Sequence, residues 1–153
     1  MTEVNHAGNI IVSLANLPDF LRRPILQKRL SEFFSLSRED RTEIVNNALL
    51  AGPAIQFDRF GTLFKTWLEI LCILSEEQRM MMFGAYIDEI VQNPAKIVPF
   101  NLDGILEIYL MLPEEQRKTI SSTIKKILDS LEERERKRIL PIIPERAKKD
   151  IGV

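Results

Sequence analysis

The chain has 153 residues, enough for one domain with a core of its own, and its 45% apolar and 28% charged residues exclude wholesale disorder. A formal net charge of −1 excludes an overall field that recruits nucleic acid or acidic membranes. A single cysteine, Cys72, excludes an internal disulfide, and a single histidine, His6, leaves too few ligands for a His/Cys zinc site.

The N-terminal stretch "MTEVNHAGNIIVSLANLPDF" carries no Lys or Arg before Arg22, so it lacks the basic start of a secretory signal. The chain also has no apolar run of about 18 residues, so no transmembrane helix is expected and the expected compartment is the cytoplasm. A first helix is placed at 9–16, although Ile10-Ile11-Val12 is β-branched and would also suit an extended strand. A second is placed at 23–35. Helices follow at 38–51, 58–73, 76–92, 102–111, 114–130, 132–140 and 145–150. Their stripes are regular: Phe60, Leu63, Phe64, Trp67, Leu68 and Leu71 fall three and four apart, as do Met82, Phe83, Tyr86, Ile87 and Ile90. Asp58 and Asn101 read as caps, and Gly52-Pro53 and Asn93-Pro94 close the helices before them. Pro141 and Pro144 confine "LPIIPE" to a turn or extended segment whose isoleucines pack down on the core.

A short tag recurs at equal intervals along the chain: "LSREDR" from Leu36, "LSEEQR" from Leu74 and "LPEEQR" from Leu112. The likeness extends upstream, where Leu68-Glu69-Ile70 lies over Leu106-Glu107-Ile108. Each tag falls between two helical stripes. Ser37 and Ser75 read as N-caps, with Gln78 completing a capping box, and Pro113 reads as the first helical residue. Leu-x4-Arg occurs again at Leu17/Arg22 and Leu131/Arg136, each half an interval from the nearest tag. The slots starting at Ile55 and Asn93 lack it, so sequence alone leaves open whether this half-period is chance.

The L-[SP]-E-E-Q-R turn at the head of amphipathic helices resembles the helical repeats of magnesium-transporter N-terminal domains and flagellar rotor switch proteins. It also resembles HEAT-type hairpins, whose period is close to the interval between these tags. The resemblance spans roughly residues 29–140 and implies an adaptor or assembly role, with no functional residue carried over.

Little in the chain looks catalytic. Cys72 sits in the apolar "LEILCIL" and reads as a buried, inert thiol. No GxGxxG or Walker loop cradles a phosphate. Glu76-Glu77 and Glu114-Glu115 are consecutive helical positions that diverge by about 100°, and the helix dipole accounts for them better than acid–base chemistry does. Arg41, Arg79 and Arg117 share one repeat slot and either form a basic row or pair with acids of the neighbouring turn. Met80 and Met81, beside Met82 and Phe83, either fill the core or offer a pliable surface to a partner. From Arg134 to Lys149 the chain carries a net +5, through Arg134, Arg136, Lys137, Arg138, Arg146, Lys148 and Lys149. This is either a solvated final helix or a tail for an acidic partner.

The sequence therefore predicts an all-α single domain over 1–153. It consists of antiparallel helical hairpins repeating at about 20–52, 58–92 and 96–130, then a capping helix and basic tail over 131–153, in a short α-solenoid or compact bundle. The expected role is a non-enzymatic protein-interaction or adaptor module without a cofactor. Its candidate partner-binding residues are Met80, Met81, Arg41, Arg79 and Arg117, and self-association into a homo-oligomer is compatible with it. The alternative is nucleic-acid or ribosome-associated binding through the seven basic C-terminal residues.

Overall fold

The computed structural model describes residues 6–153, with side chains from residue 8 onward. The reading of the extreme N-terminus and the His6 side chain lie outside the described residues. Among the described residues the chain is all-α: α1 (His6–Ala15), α2 (Asp19–Phe33), α3 (Arg38–Ala51), α4 (Phe57–Ile73), α5 (Glu76–Gln92), α6 (Leu102–Leu110), α7 (Glu114–Ser130), α8 (Glu133–Ile139) and α9 (Glu145–Ile151). Short 3-10 turns follow α3, α5 and α8, each containing a proline. No helix among the described residues is long and apolar enough to cross a membrane.

The predicted caps mostly hold. Ser37 accepts from the Asp40 amide, Asn101 accepts from the Gly104 amide, and Ser75 with Gln78 forms both halves of a capping box. Three expectations need correction. Helix α2 opens at Asp19, because Pro18 serves as its N-cap and Pro24 is tolerated inside the helix. Gln56, not Asp58, precedes α4, and Asp58 lies in its first turn. Pro113 is the N-cap of α7 and not its first helical residue. That last shift has a chemical cost. In α5 the Gln78 carboxamide oxygen accepts from the Ser75 N–H at 3.2 Å. Pro113 has no N–H to give, and the equivalent Gln116 oxygen is buried without a partner.

The recurring arginine is the most informative residue. The pairing with neighbouring acids is not its main role, because its guanidinium donates to backbone carbonyls. Arg22, Arg41, Arg79, Arg117 and Arg136 each bond the carbonyl five residues earlier, that of Leu17, Leu36, Leu74, Leu112 and Leu131. The last carbonyls of an α-helix have no partner within it, and these bonds supply one at each tight corner. Three of the five reach further. Arg22, Arg79 and Arg136 also bond Leu14, Leu71 and Leu128, eight residues earlier, at 3.1, 3.4 and 3.2 Å. These three corners share L-x2-L-x4-R and are evenly spaced, each three half-intervals of the tag beyond the last. The corners at Leu17/Arg22 and Leu131/Arg136 therefore use the same hydrogen-bond device as the tags.

Two corners are locked to the next part of the fold. Arg22 donates to the Thr66 hydroxyl and Arg79 to the Thr123 hydroxyl, both at 3.2 Å. Thr66 and Thr123 are almost fully buried and stand as far apart in the chain as the two arginines do. Each turns its own proton to the carbonyl four residues back, which leaves the oxygen free to accept from arginine. The α1–α2 corner is thereby fixed to α4, and the α4–α5 corner to α7.

Helices two apart in the chain pack on one another: α1 on α3, α3 on α5, α5 on α7 and α7 on α9, and beside them α2 on α4 and α4 on α6. The result is two adjacent rows of helices with α8 resting on α5. The core between the rows includes Val45, Leu68, Ile70, Leu71, Ile120 and Leu128. A part-buried polar chain ties α3 to α5 and the turn after it: Lys96 donates to Asn46 at 2.7 Å, and Asn46 donates to Glu89, itself only 6% exposed.

Two outcomes are expected from these corners. Arg22→Ala leaves the Leu14 and Leu17 carbonyls and the Thr66 hydroxyl without their donor at about 1 kcal/mol each, lowering Tm by roughly 6–12 °C, while the exposed Asp19 carboxylate that it also meets turns to water. Arg22→Lys recovers little of this, because an ammonium lacks the planar fork, whereas exposed Arg134→Ala stays within about 0.5 kcal/mol in the same urea titration. Pro113→Ser restores the N–H that Gln116 needs and stabilises by about 1 kcal/mol. The gain should vanish in a Gln116→Ala background, and additivity of the two changes would contradict the restored capping box.

Candidate functional site

The residues singled out from sequence are not gathered in one place. Arg41, Arg79 and Arg117 are each held at their own corner by carbonyls, and Arg117 also lies 4.0 Å from Asp150. Met80 and Met81 are half-buried on α5, with Met80 packed against the core and Met82 inside it. Much of the C-terminal basic segment is engaged by the chain itself. Arg136 caps α7, Arg138 reaches the Val91 carbonyl at the end of α5, Lys137 pairs with Glu133, Arg146 with Glu107 and Lys148 with Glu145. Arg134 and Lys149 are exposed. Nor does this segment trail away: α9 packs on α7, Ala147 and Ile151 lie against the core, and Tyr109 donates to Asp150.

Chemistry-bearing groups are equally scattered. Cys72 is half-buried and donates weakly to the Gln116 carbonyl at 3.7 Å. Burial pushes its thiol up against the opposing pull of Arg79, which disfavours the reactive thiolate. Burial also raises the Asp88 carboxyl, with Arg38 acting against it and Glu135 and Glu89 adding to it. Asp88 does not line the principal cavity. Among the described residues no group of three or more His, Cys, Asp or Glu could hold a metal ion. Glu76 is exposed and bonded to Lys126, which holds its carboxyl below the usual range.

What the fold does build is a cavity of about 470 Å³ between the two rows. Its wall draws on α1 through α6. From α4 come Phe60, Leu63, Phe64 and Trp67, and from α5 come Met82, Phe83, Tyr86 and Ile90. The aromatic side chains form a continuous surface. Along α4, Phe60 stacks on Phe64 at 5.8 Å and Phe64 on Trp67 at 5.7 Å. Trp67 then meets Phe83 and Tyr86 edge-on at 5.5 and 5.6 Å, and Phe100 closes on Phe60 at 5.7 Å. Gly52 makes room for that closure, since a Cβ there would stand 2.7 Å from the Phe100 ring. Among the described residues charge reaches the wall only through Arg29 and Glu32 of α2, which are about half exposed and pair with each other at 3.4 Å.

Tyr86 stands apart from its neighbours. It is half-buried and lines the cavity. Its hydroxyl has no hydrogen-bond partner among the described residues, and burial alone pushes its phenol up to about 12. The sequence places Trp67 and Tyr86 on core stripes, which is correct for their backbone register. Periodicity says which way a residue faces. It does not say whether the facing residues meet.

No protein-family model, no curated protein and no solved structure matches this chain. Fold and site together define an all-α, two-row helical protein with one large apolar cavity described between its rows.

The tyrosines supply a pH test. Burial raises Tyr86, and burial with the hydrogen bond to Asp150 raises Tyr109, so both of the chain's two tyrosines hold their protons longer when folded. Between pH 10 and about 12 the unfolded chain has lost protons that the native state keeps, so stability falls as pH rises through that window. Absorbance at 295 nm should show little phenolate at pH 10.5 in the native protein and about three-quarters of the two-tyrosine signal in urea. Ordinary titration near pH 10 in the native state would contradict the burial of both groups.

Proposed function

We propose that this protein is a non-enzymatic binding module, an adaptor of stacked helical hairpins in the manner of HEAT-type repeats, that recognises an apolar group through the cavity between its rows. The observation that carries the reading is the cavity itself. A void lined by Leu, Ile and Phe of about 150 Å³ already binds benzene, and this one has about three times that volume. Each methylene transferred from water into such walls is favourable by about 0.8 kcal/mol. The polar groups on the wall are few, and the two charged ones neutralise each other, which suits binding better than bond making.

Nucleic-acid or ribosome-associated binding is the second reading. It draws less support, because Arg136, Lys137, Arg138, Arg146 and Lys148 already have partners within the chain. Salt separates the two. A neutral apolar fluorophore such as N-phenyl-1-naphthylamine should bind with an affinity that changes less than about twofold between 50 and 500 mM salt, and a 20-nucleotide single strand should give no anisotropy change at 150 mM. Tight binding of the strand with a steep salt slope would favour the second reading.

A further inference from the structure

We propose that the cavity takes a neutral, single-chain amphiphile: a hydrocarbon chain bearing one oxygen acceptor that receives the Tyr86 hydroxyl proton. This rests on the binding-module reading above and names the ligand class. Volume is the first argument. At the roughly 30 Å³ that a water occupies in the liquid, 470 Å³ corresponds to about 15 methylene-sized groups. A partner helix is about 10 Å across with its side chains, so the same space would admit only about one turn of it. A hydrocarbon chain is thin enough to enter whole.

The placing of polar groups is the second argument. Tyr86 brings a hydroxyl to an otherwise apolar stretch of wall formed with Trp67 and Phe83, and that hydroxyl has no partner among the described residues. A donor on such a wall, half-screened from water, favours ligands that satisfy it over ligands that do not. Its demand is for an acceptor, and for a neutral one. The wall's only guanidinium, Arg29, sits half-exposed on α2 and already faces Glu32. A carboxylate or phosphate drawn in beside Tyr86 would be buried without a counter-charge. An alcohol, ketone or ester oxygen carries no such penalty.

Trp67 is the only tryptophan, lies on the cavity wall and touches Tyr86 edge-on, so its emission reports occupancy directly. The experiment titrates 1-dodecanol, 1-chlorododecane and sodium dodecanoate, each below its aggregation limit, and separately phosphatidylcholine vesicles. They are added to wild type, Tyr86→Phe and Ala48→Phe, the last filling the cavity from α3. Dodecanol should shift Trp67 emission saturably, bind about tenfold more weakly to Tyr86→Phe and lose its site in Ala48→Phe. Chlorododecane should bind wild type and Tyr86→Phe alike. If Ala48→Phe lacks a cooperative thermal transition, Leu30→Phe takes its place.

Equal binding of dodecanol to wild type and Tyr86→Phe overturns the acceptor assignment while the cavity reading survives. Tighter binding of dodecanoate than of dodecanol overturns the neutral class. A response to vesicles but not to monomeric dodecanol assigns the surface to a membrane and overturns the proposal. No saturable response to any chain compound overturns the cavity reading itself.

Discussion

Every helix ends in carbonyls that its own backbone cannot satisfy, and a chain that turns from one helix into the next within two or three residues must satisfy them locally. Here the donor is an arginine one turn into the following helix. Its position is dictated by geometry: five residues beyond the corner leucine, the guanidinium folds back over the corner it has just left. Lysine could carry the charge but not the fork. At the three longer corners the donor belongs to the second helix and the Leu14, Leu71 or Leu128 carbonyl to the first, so the bond also ties the two helices together. Where the arginine meets Thr66 or Thr123 as well, a local cap becomes a tertiary lock, and the rows are built from such locks as much as from leucine packing.

The cavity follows from how α4 is divided. One side of that helix carries Thr66 and Ile70, which are nearly sealed from water. Another carries Phe60, Phe64 and Trp67, whose rings contact one another along the helix at 5.7–5.8 Å. Rings engaged lengthwise with each other present a broad, stiff face and leave space opposite that branched aliphatics would have filled. The same helix therefore holds the two rows together and keeps a chamber open between them, and the binding proposal depends on both.

Much of this is legible in the residues. The caps Ser37, Ser75 and Asn101 and the stripe of α4 follow from short-range rules, and those rules place every helix of the described residues. The start of α2 is where they mislead: Leu17-Pro18 with Arg22 is the same corner pattern seen elsewhere, and it opens the helix at Asp19. A search for L-x2-L-x4-R corrects that and brings out the even spacing of the three longer corners. The arginine's carbonyl partners are not legible in the same way, since capping of a preceding helix by a following one depends on the turn between them. The cavity is less legible still. Trp67 and Tyr86 announce that they face inward, but the distance to what faces them is a property of the assembled rows. The unpaired oxygen of Gln116 lies between these cases: once Pro113 is recognised as an N-cap, its orphaned carboxamide follows from the sequence alone.

The two arginine–threonine locks each join residues 44 apart, and the longest reach among the described side-chain hydrogen bonds is 50 residues. No such bond ties one end of the chain to the other. Order can therefore begin at any corner and spread to its neighbours, as in quasi-one-dimensional stacks, and the loop-closure entropy to be overcome at each step stays small. A chain wired this way belongs with the faster folders of its length. It can also begin to settle during synthesis, since each arginine finds its threonine once some 44 further residues have emerged.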